Sequence, residues 1–250
     1  MAVLVTRPDK RGEELVDMLN KTGIAAIHLP LFNIIAGREL NELPNKISQL
    51  RVGDIVFAVS KNAIKFAAET LKSVGIHWRN DVQYFAVGQS SAEYFSAQSE
   101  QSVIYPFGQE TSEGLLNLPA LQQLGEKTVL ILRGNGGREL FPEQAAIRGA
   151  KVDIVECYQR VPVEYNRIAQ TDLCKRAGIS TIIVTSAEIL KTLIEFVPVE
   201  EQAWLTSCQL VTVSRRIANL AIKCGWKMEQ ILISPRADNV TLVETVQTRP

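Results

Sequence analysis

The residues of this chain that could do chemistry are an arginine-flanked glycine cluster, a scatter of hydroxyl side chains and one tyrosine in ECYQR. The stretch LILRGNGGREL (130–140) climbs through an apolar run to Arg133 and passes Gly134, Asn135, Gly136 and Gly137. It then reaches Arg138, where helical spacing begins. Backbone N–H groups freed between a strand and a helix, with guanidinium groups beside them, suit an anion, either phosphate or carboxylate. The dinucleotide fingerprint needs a third glycine where Glu139 stands, after Gly137 and Arg138, and no Gly-Lys-Ser/Thr follows, so nucleotide binding is disfavoured. Two readings stay open: a tight turn that needs positive φ, or a loop that holds carboxylates.

Small hydroxyl residues close most of the other apolar runs: Thr6, Ser60, Ser90 and Ser91, Thr185 and Ser186, and Ser214. Taken singly, each reads as a helix N-cap. As a set at the carboxyl ends of parallel strands, they stand where α/β sheets bind ligands. Arg7, Gln89 and Arg215 are adjacent to members of this set and would add donors; Arg215 and Arg216 also fit a solvated first helical turn. No nucleophile–base pair is visible, because GxSxG is absent and neither His28 nor His77 has an adjacent acid. The two histidines and the four cysteines (Cys157, Cys174, Cys208 and Cys224) lack metal-ligand spacing, so no metal is expected. A reaction run by such residues depends on binding and orientation.

The elements that must position these groups are short apolar runs alternating with helix-like stretches. VLVT (3–6), IVFAV (55–59), YFAVG (84–88), TVLIL (128–132), VDIVECY (152–158), TIIVT (181–185), LVTV (210–213) and ILIS (231–234) read as buried strands. Stretches such as GEELVDMLNKTG between them carry apolar residues three and four apart. This alternation implies parallel sheets covered by helices on both faces.

The halves repeat: Val3/Val129, Gly23/Gly149, Ser60/Ser186 and Val87/Val213 all share an offset of 126. The chain therefore reads as an internally duplicated α/β protein with two similar sheets. IHLPLFNIIAG (27–37) and VECYQRVPVEY (155–165) occupy matching places, are longer than an ordinary strand and contain proline. They are expected to be paired crossover strands joining two domains. One domain would be 1–35 plus 161–250 and the other 36–160, with a small-molecule cleft between them.

At 250 residues and 46% hydrophobic, the chain is long enough for two such domains. Lys+Arg and Asp+Glu are both 27, which leaves no broad basic field for nucleic acid. The N-terminus lacks a signal-peptide pattern, and no apolar run approaches the roughly 18 residues of a membrane span. The cysteines read as reduced thiols of a cytoplasmic protein, and a monomer is expected.

TRPDKRGEEL at the start, LRGNGGREL, ECYQR (156–160), VTSAE (184–188) and SRRIANLA together resemble uroporphyrinogen-III synthases of the bacterial type, across the whole chain and in order. The resemblance implies two flavodoxin-like or Rossmann-like domains with parallel sheets, joined by a two-strand connector. It implies a cofactor-independent lyase of heme biosynthesis that cyclises linear hydroxymethylbilane to uroporphyrinogen III, losing water and inverting ring D. It also implies hand-over of that substrate from hydroxymethylbilane synthase. The departing hydroxyl leaves a cation stabilised by the pyrrole itself, so the protein's main task is geometric. The residue expected to assist catalysis is Tyr158. Those expected to hold the substrate's carboxylates are Thr6, Arg7, Ser60, Gln89, Ser90, Ser91, Arg133, Gly134, Asn135, Arg138, Ser186, Ser214 and Arg215. The competing expectations are a non-catalytic two-domain binder of small ligands and an enzyme acting on a phosphorylated small molecule.

Overall fold

The computed structural model describes residues 2–248. Eleven strands run in chain order among these residues: β1 (Ala2–Val5), β2 (Ala25–His28), β3 (Phe32–Ala36), β4 (Ile55–Ala58), β5 (Gln83–Ala86), β6 (Val103–Ile104), β7 (Thr128–Gly134), β8 (Lys151–Pro162), β9 (Ile179–Val184), β10 (Gln209–Thr212) and β11 (Ile231–Ile233). The helices between them are α1 (Asp9–Lys21), α2 (Leu43–Gln49), α3 (Lys61–Ser73), α4 (Gln89–Ser99), α5 (Ser112–Leu116), α6 (Leu140–Ile147), α7 (Arg167–Arg176), α8 (Ala187–Phe196), α9 (Gln202–Ser207), α10 (Arg215–Lys223) and α11 (Asn239–Gln247).

The chain forms two compact units. One holds the described residues up to Asn33 together with those from Val161 onward; the other is Ile34–Arg160. The first unit contains a sheet of order β11-β10-β9-β1-β2, parallel throughout. The second contains the order β3-β8-β7-β4-β5-β6, parallel from β8 to β6. In its own numbering the first sheet has the order 2-1-3-4-5 of flavodoxin-like folds. The repeat offset maps β1 onto β7, β2 onto β8 and β9 onto β4, so β8-β7-β4-β5-β6 is the same sheet rebuilt from the opposite parts of the two halves.

Local sequence explains the elements. In β4 and β7, Ile55, Phe57, Val129 and Ile131 face one apolar cluster, while Val56, Ala58, Leu130 and Leu132 face another. That period of two, apolar on both sides, is what a central parallel strand needs. Ser60 caps α3 by accepting the Ala63 N–H at 3.3 Å, and the helix buries Ala63, Ile64, Ala67 and Leu71. Ser186 does the same for α8 with the Ile189 N–H at 3.1 Å, burying Ile189, Leu190 and Leu193 at the repeat-equivalent positions. Such caps contribute about 1 kcal/mol each.

The stretch 27–37, expected to be one crossover strand, is two. The Leu29 N–H still bonds the Val5 carbonyl at 2.9 Å, but β1 ends at Val5 and offers no further ladder partner. β2 therefore stops in the first sheet, and β3 joins the second. Its counterpart β8 runs unbroken from Lys151 to Pro162.

Candidate functional site

In the second unit, successive strands wind outward in opposite directions from the β7–β4 pair. Parallel α/β sheets open a crevice at such a reversal, outside the carboxyl ends of the strands. Here those ends carry Ser60 after β4 and Gly134, Asn135 and the glycine loop after β7. The neighbouring strand β8 brings Tyr158 alongside.

Tyr158 reaches this place through a bulge. Arg133 pairs with Glu156, but the next residue, Gly134, pairs with Tyr158, so Cys157 is passed over. The extra residue lets Cys157 and Tyr158, adjacent in sequence, both join the cluster that contains Val56 and Leu130. The Tyr158 residue is only 2% exposed. A Cβ at Gly134 would lie 2.4 Å from the ring's Cζ, so glycine is what admits the ring there. Phe66 stacks at 6.5 Å between centroids. The phenol oxygen receives two hydrogen bonds, from Ser60 Oγ at 3.2 Å and from Arg160 Nη2 at 3.0 Å. The Arg160 guanidinium carbon also stands 5.1 Å from the ring centroid.

Asn135 ties the loop to β8. Its N–H donates to the Tyr158 carbonyl at 3.1 Å, its Oδ1 accepts the Arg160 N–H at 2.9 Å, and its own carbonyl accepts Arg160 Nη1 at 3.3 Å. Gly136 has φ +68°, the left-handed turn conformation, while the Arg133 side chain lies over Gly137. Arg133 Nη1 donates to Glu139 at 2.8 Å, and its Nε is buried with no protein partner. Arg138 is engaged by Glu113, at 2.7 Å from Nη2. That guanidinium bond holds the Glu113 carboxyl down at about 2, well below the usual carboxylate range. At the N-terminus of α4, the Glu110 carboxylate lies over Gly88 and accepts the Gln89 N–H at 3.2 Å. Ser90 is exposed, and Ser91 is half-buried in the first turn. Carboxylates of the protein itself thus occupy two of the positions expected to hold substrate carboxylates.

The first unit has its reversal between β1 and β9. Thr6 is wholly buried and its hydroxyl donates to the Ile183 carbonyl at 2.7 Å, holding β1 to β9. Arg7 is 8% exposed; its Nη1 donates to the Ala237 carbonyl and to Asn239 Oδ1 at 2.7 and 3.0 Å. Burial, with Arg11 nearby, lowers its guanidinium to about 10. Ser186 and Ser214 serve as N-caps of α8 and α10, and Arg215 is exposed in the first turn of α10.

Sequence reasoning missed Arg160, Glu110 and Glu113. For Arg160 a signal existed: ECYQR places it two residues after Tyr158, on the same face of a strand. For the two glutamates no local signal exists, since Glu113 and Arg138 are distant in sequence. Cys157, Cys174 and Cys208 are buried free thiols, and Cys224 is half-buried. Among the described residues, no three His, Cys, Asp or Glu side chains group to hold a metal, and no helix is long and apolar enough to cross a membrane.

The comparisons with known proteins converge. The family model described as Uroporphyrinogen-III synthase HemD matches residues 13–244. The uroporphyrinogen-III synthase of Salmonella typhimurium is 40% identical over 99% of this chain and 100% of that protein. The Escherichia coli one is 38% identical with the same coverage. In fold, the chain is similar to a mutant uroporphyrinogen III synthase from the extremely thermophilic bacterium Thermus thermophilus, with a TM-score of 0.71 at 19% identity, over 98% of this chain and 95% of that one. It is also similar to uroporphyrinogen-III synthetase from Helicobacter pylori, with a TM-score of 0.57 at 14% identity, over 99% and 98%. The chain belongs to the uroporphyrinogen-III synthase family and has that family's enzyme activity in tetrapyrrole biosynthesis.

Proposed function

We propose that the chain cyclises hydroxymethylbilane to uroporphyrinogen III, as a lyase that needs no cofactor, with Tyr158 as the proton donor to the departing hydroxyl. The observation that carries the role of Tyr158 is the pair of donors converging on its oxygen. With both acceptor positions taken by Ser60 and Arg160, the phenol's own O–H is the group left to give. The ring is enclosed by Gly134 and Phe66, so a leaving hydroxyl would meet Tyr158 at that oxygen. The proton passes to the hydroxyl, the C–O bond breaks, and its electron pair leaves with water. The resulting cation spreads into the pyrrole, which is why one positioned acid suffices.

In the same proposal the substrate's acetate and propionate arms are held by backbone and side-chain donors at the strand ends. In the second unit these are Ser60, Gln89, Ser90, Ser91 and the loop Arg133, Gly134, Asn135 and Arg138. In the first they are Arg7, Ser186, Ser214 and Arg215, with Thr6 keeping β1 in register beside them. Holding the chain so that ring D attacks through its substituted carbon is an orientational task, which fits many weak donors better than one strong catalyst. We further propose a cytoplasmic monomer that receives its unstable substrate from hydroxymethylbilane synthase; the free thiols support a reducing compartment. The test is an assay coupled to that synthase, without added metal, nucleotide or flavin, with isomer analysis of the oxidised porphyrin. The type III isomer is expected. Type I alone, at the uncatalysed rate, overturns the proposal.

A further inference from the structure

We infer that Arg160 is a positioning residue for this reaction, holding the Tyr158 phenol in place and stabilising the phenolate left when its proton goes to the departing hydroxyl. The inference rests on the reading of Tyr158 as proton donor and adds the group that makes such a donor workable. A phenol that gives up its proton leaves a negative oxygen in a largely buried place, where an uncompensated charge is costly. Arg160 Nη2 already donates to that oxygen at 3.0 Å, before any charge has formed. As the proton leaves, this contact becomes a charge-assisted bond between fixed partners, with no reorganisation required.

The guanidinium is preorganised by the glycine loop. Nη1 bonds the Asn135 carbonyl at 3.3 Å and the Arg160 N–H bonds Asn135 Oδ1 at 2.9 Å, while Asn135 N–H bonds the Tyr158 carbonyl at 3.1 Å. Arg160 therefore reaches phenol and loop with different nitrogens of one planar fork, which the compact ammonium of lysine does not reproduce. Ser60 Oγ completes the second acceptor position at 3.2 Å and is itself fixed by the Ala63 N–H at 3.3 Å. The cycle balances. The phenol proton leaves in water and the phenolate stands beside the arginine. Attack through the substituted carbon of ring D forms a spiro intermediate, and the bond from that carbon to the ring C bridge breaks. Ring D recloses onto that bridge through its free α-carbon, and the proton this carbon loses on regaining aromaticity restores the phenol.

The experiment is a double-mutant cycle in the coupled assay, with thermal melts: wild type, Tyr158→Phe, Arg160→Gln and the double variant, plus Arg160→Lys. Arg160→Gln alone should lower kcat roughly tenfold with KM little changed. In the Tyr158→Phe background it should cost nothing further, because the hydroxyl through which it acts is gone. Arg160→Lys should recover part of the loss by keeping the charge. Losses that multiply in the double variant, or a raised KM at full kcat, overturn the inference while leaving Tyr158 as donor. Full kcat in Tyr158→Phe alone removes the donor reading and this inference with it, and that single variant shows which has failed. If Arg160→Gln does not fold, Arg160→Lys decides between the same outcomes.

Discussion

The Tyr158 ring fills the space that a side chain at Gly134 would need, with 2.4 Å between the position of a Cβ and the ring's Cζ. This approach ties the glycine loop to the candidate acid and makes Gly134 as specific a requirement as the tyrosine. Gly134→Ala should push the ring off its hydrogen bonds to Ser60 and Arg160. We expect kcat to fall and stability to drop by about 1–3 kcal/mol, the ordinary cost of overpacking. Gly136→Ala is the control. Its φ is +68° and a Cβ there meets nothing within 4 Å, so it should cost about 1 kcal/mol of stability with kcat kept. Kinetics and melts on both variants check this; equal effects on kcat would separate Gly134 from the chemistry.

Tyr158→Phe removes one oxygen and leaves the ring. If the phenol protonates the leaving hydroxyl, kcat should fall by roughly 10 to 10²-fold, about one to three kcal/mol, with KM little changed. Stability should fall slightly, because Ser60 and Arg160 lose an acceptor. Steady-state kinetics decides: an unchanged kcat makes the phenol structural.

Arg138 and Glu113 should move KM in opposite directions. Arg138→Ala removes a donor proposed for a substrate carboxylate, so KM should rise more than kcat falls. Glu113→Gln releases the guanidinium from its internal partner, so KM should fall. Both side chains are exposed, and melts should barely shift. Unchanged KM in both variants would reduce the pair to a surface ion pair.

The same pair has a pH signature. The Glu113 carboxyl, held at about 2 first by its bond to Arg138, lies below its unfolded value. A depressed acid contributes stability that is present above the unfolded value and is lost as pH falls through the folded one. The pair should therefore stay closed at neutral pH and open only in strong acid. Carboxyl titration followed by NMR should show this midpoint rising in Arg138→Ala; a midpoint already in the ordinary glutamate range in wild type would contradict it.

Thiol reactivity should distinguish the cysteines. Burial pushes Cys174 and Cys208 up to about 11 and Cys157 up to about 12, so the thiolate that reacts is scarce at neutral pH. An aromatic disulfide reagent should label only Cys224 in the folded protein and all four cysteines after denaturation. Rapid labelling of Cys157 in the native state would show that β8 opens.

The features legible in the sequence were those set by near neighbours. Apolar runs of period two marked the strands, Ser60 and Ser186 announced the helices they cap, and a constant offset exposed the duplication. Each depends on backbone geometry and on bonds that reach only a few residues. Tertiary structure decided what depends on partners far along the chain. The expected domain bounds already mixed the two repeat halves, but it was the strand ladders that placed β4 beside β7 and β9 beside β1 and set their registers. Pro30 was visible, but the end of β2 and the start of β3 in another sheet were settled by which strand offered a carbonyl to Leu29. Above all, strict alternation puts Cys157 and Tyr158 on opposite faces. Only the pairing with β7, which skips Cys157 to set Tyr158 against Gly134, turns the phenol toward Ser60. A bulge is a property of two strands in register, and no stretch of one strand contains it.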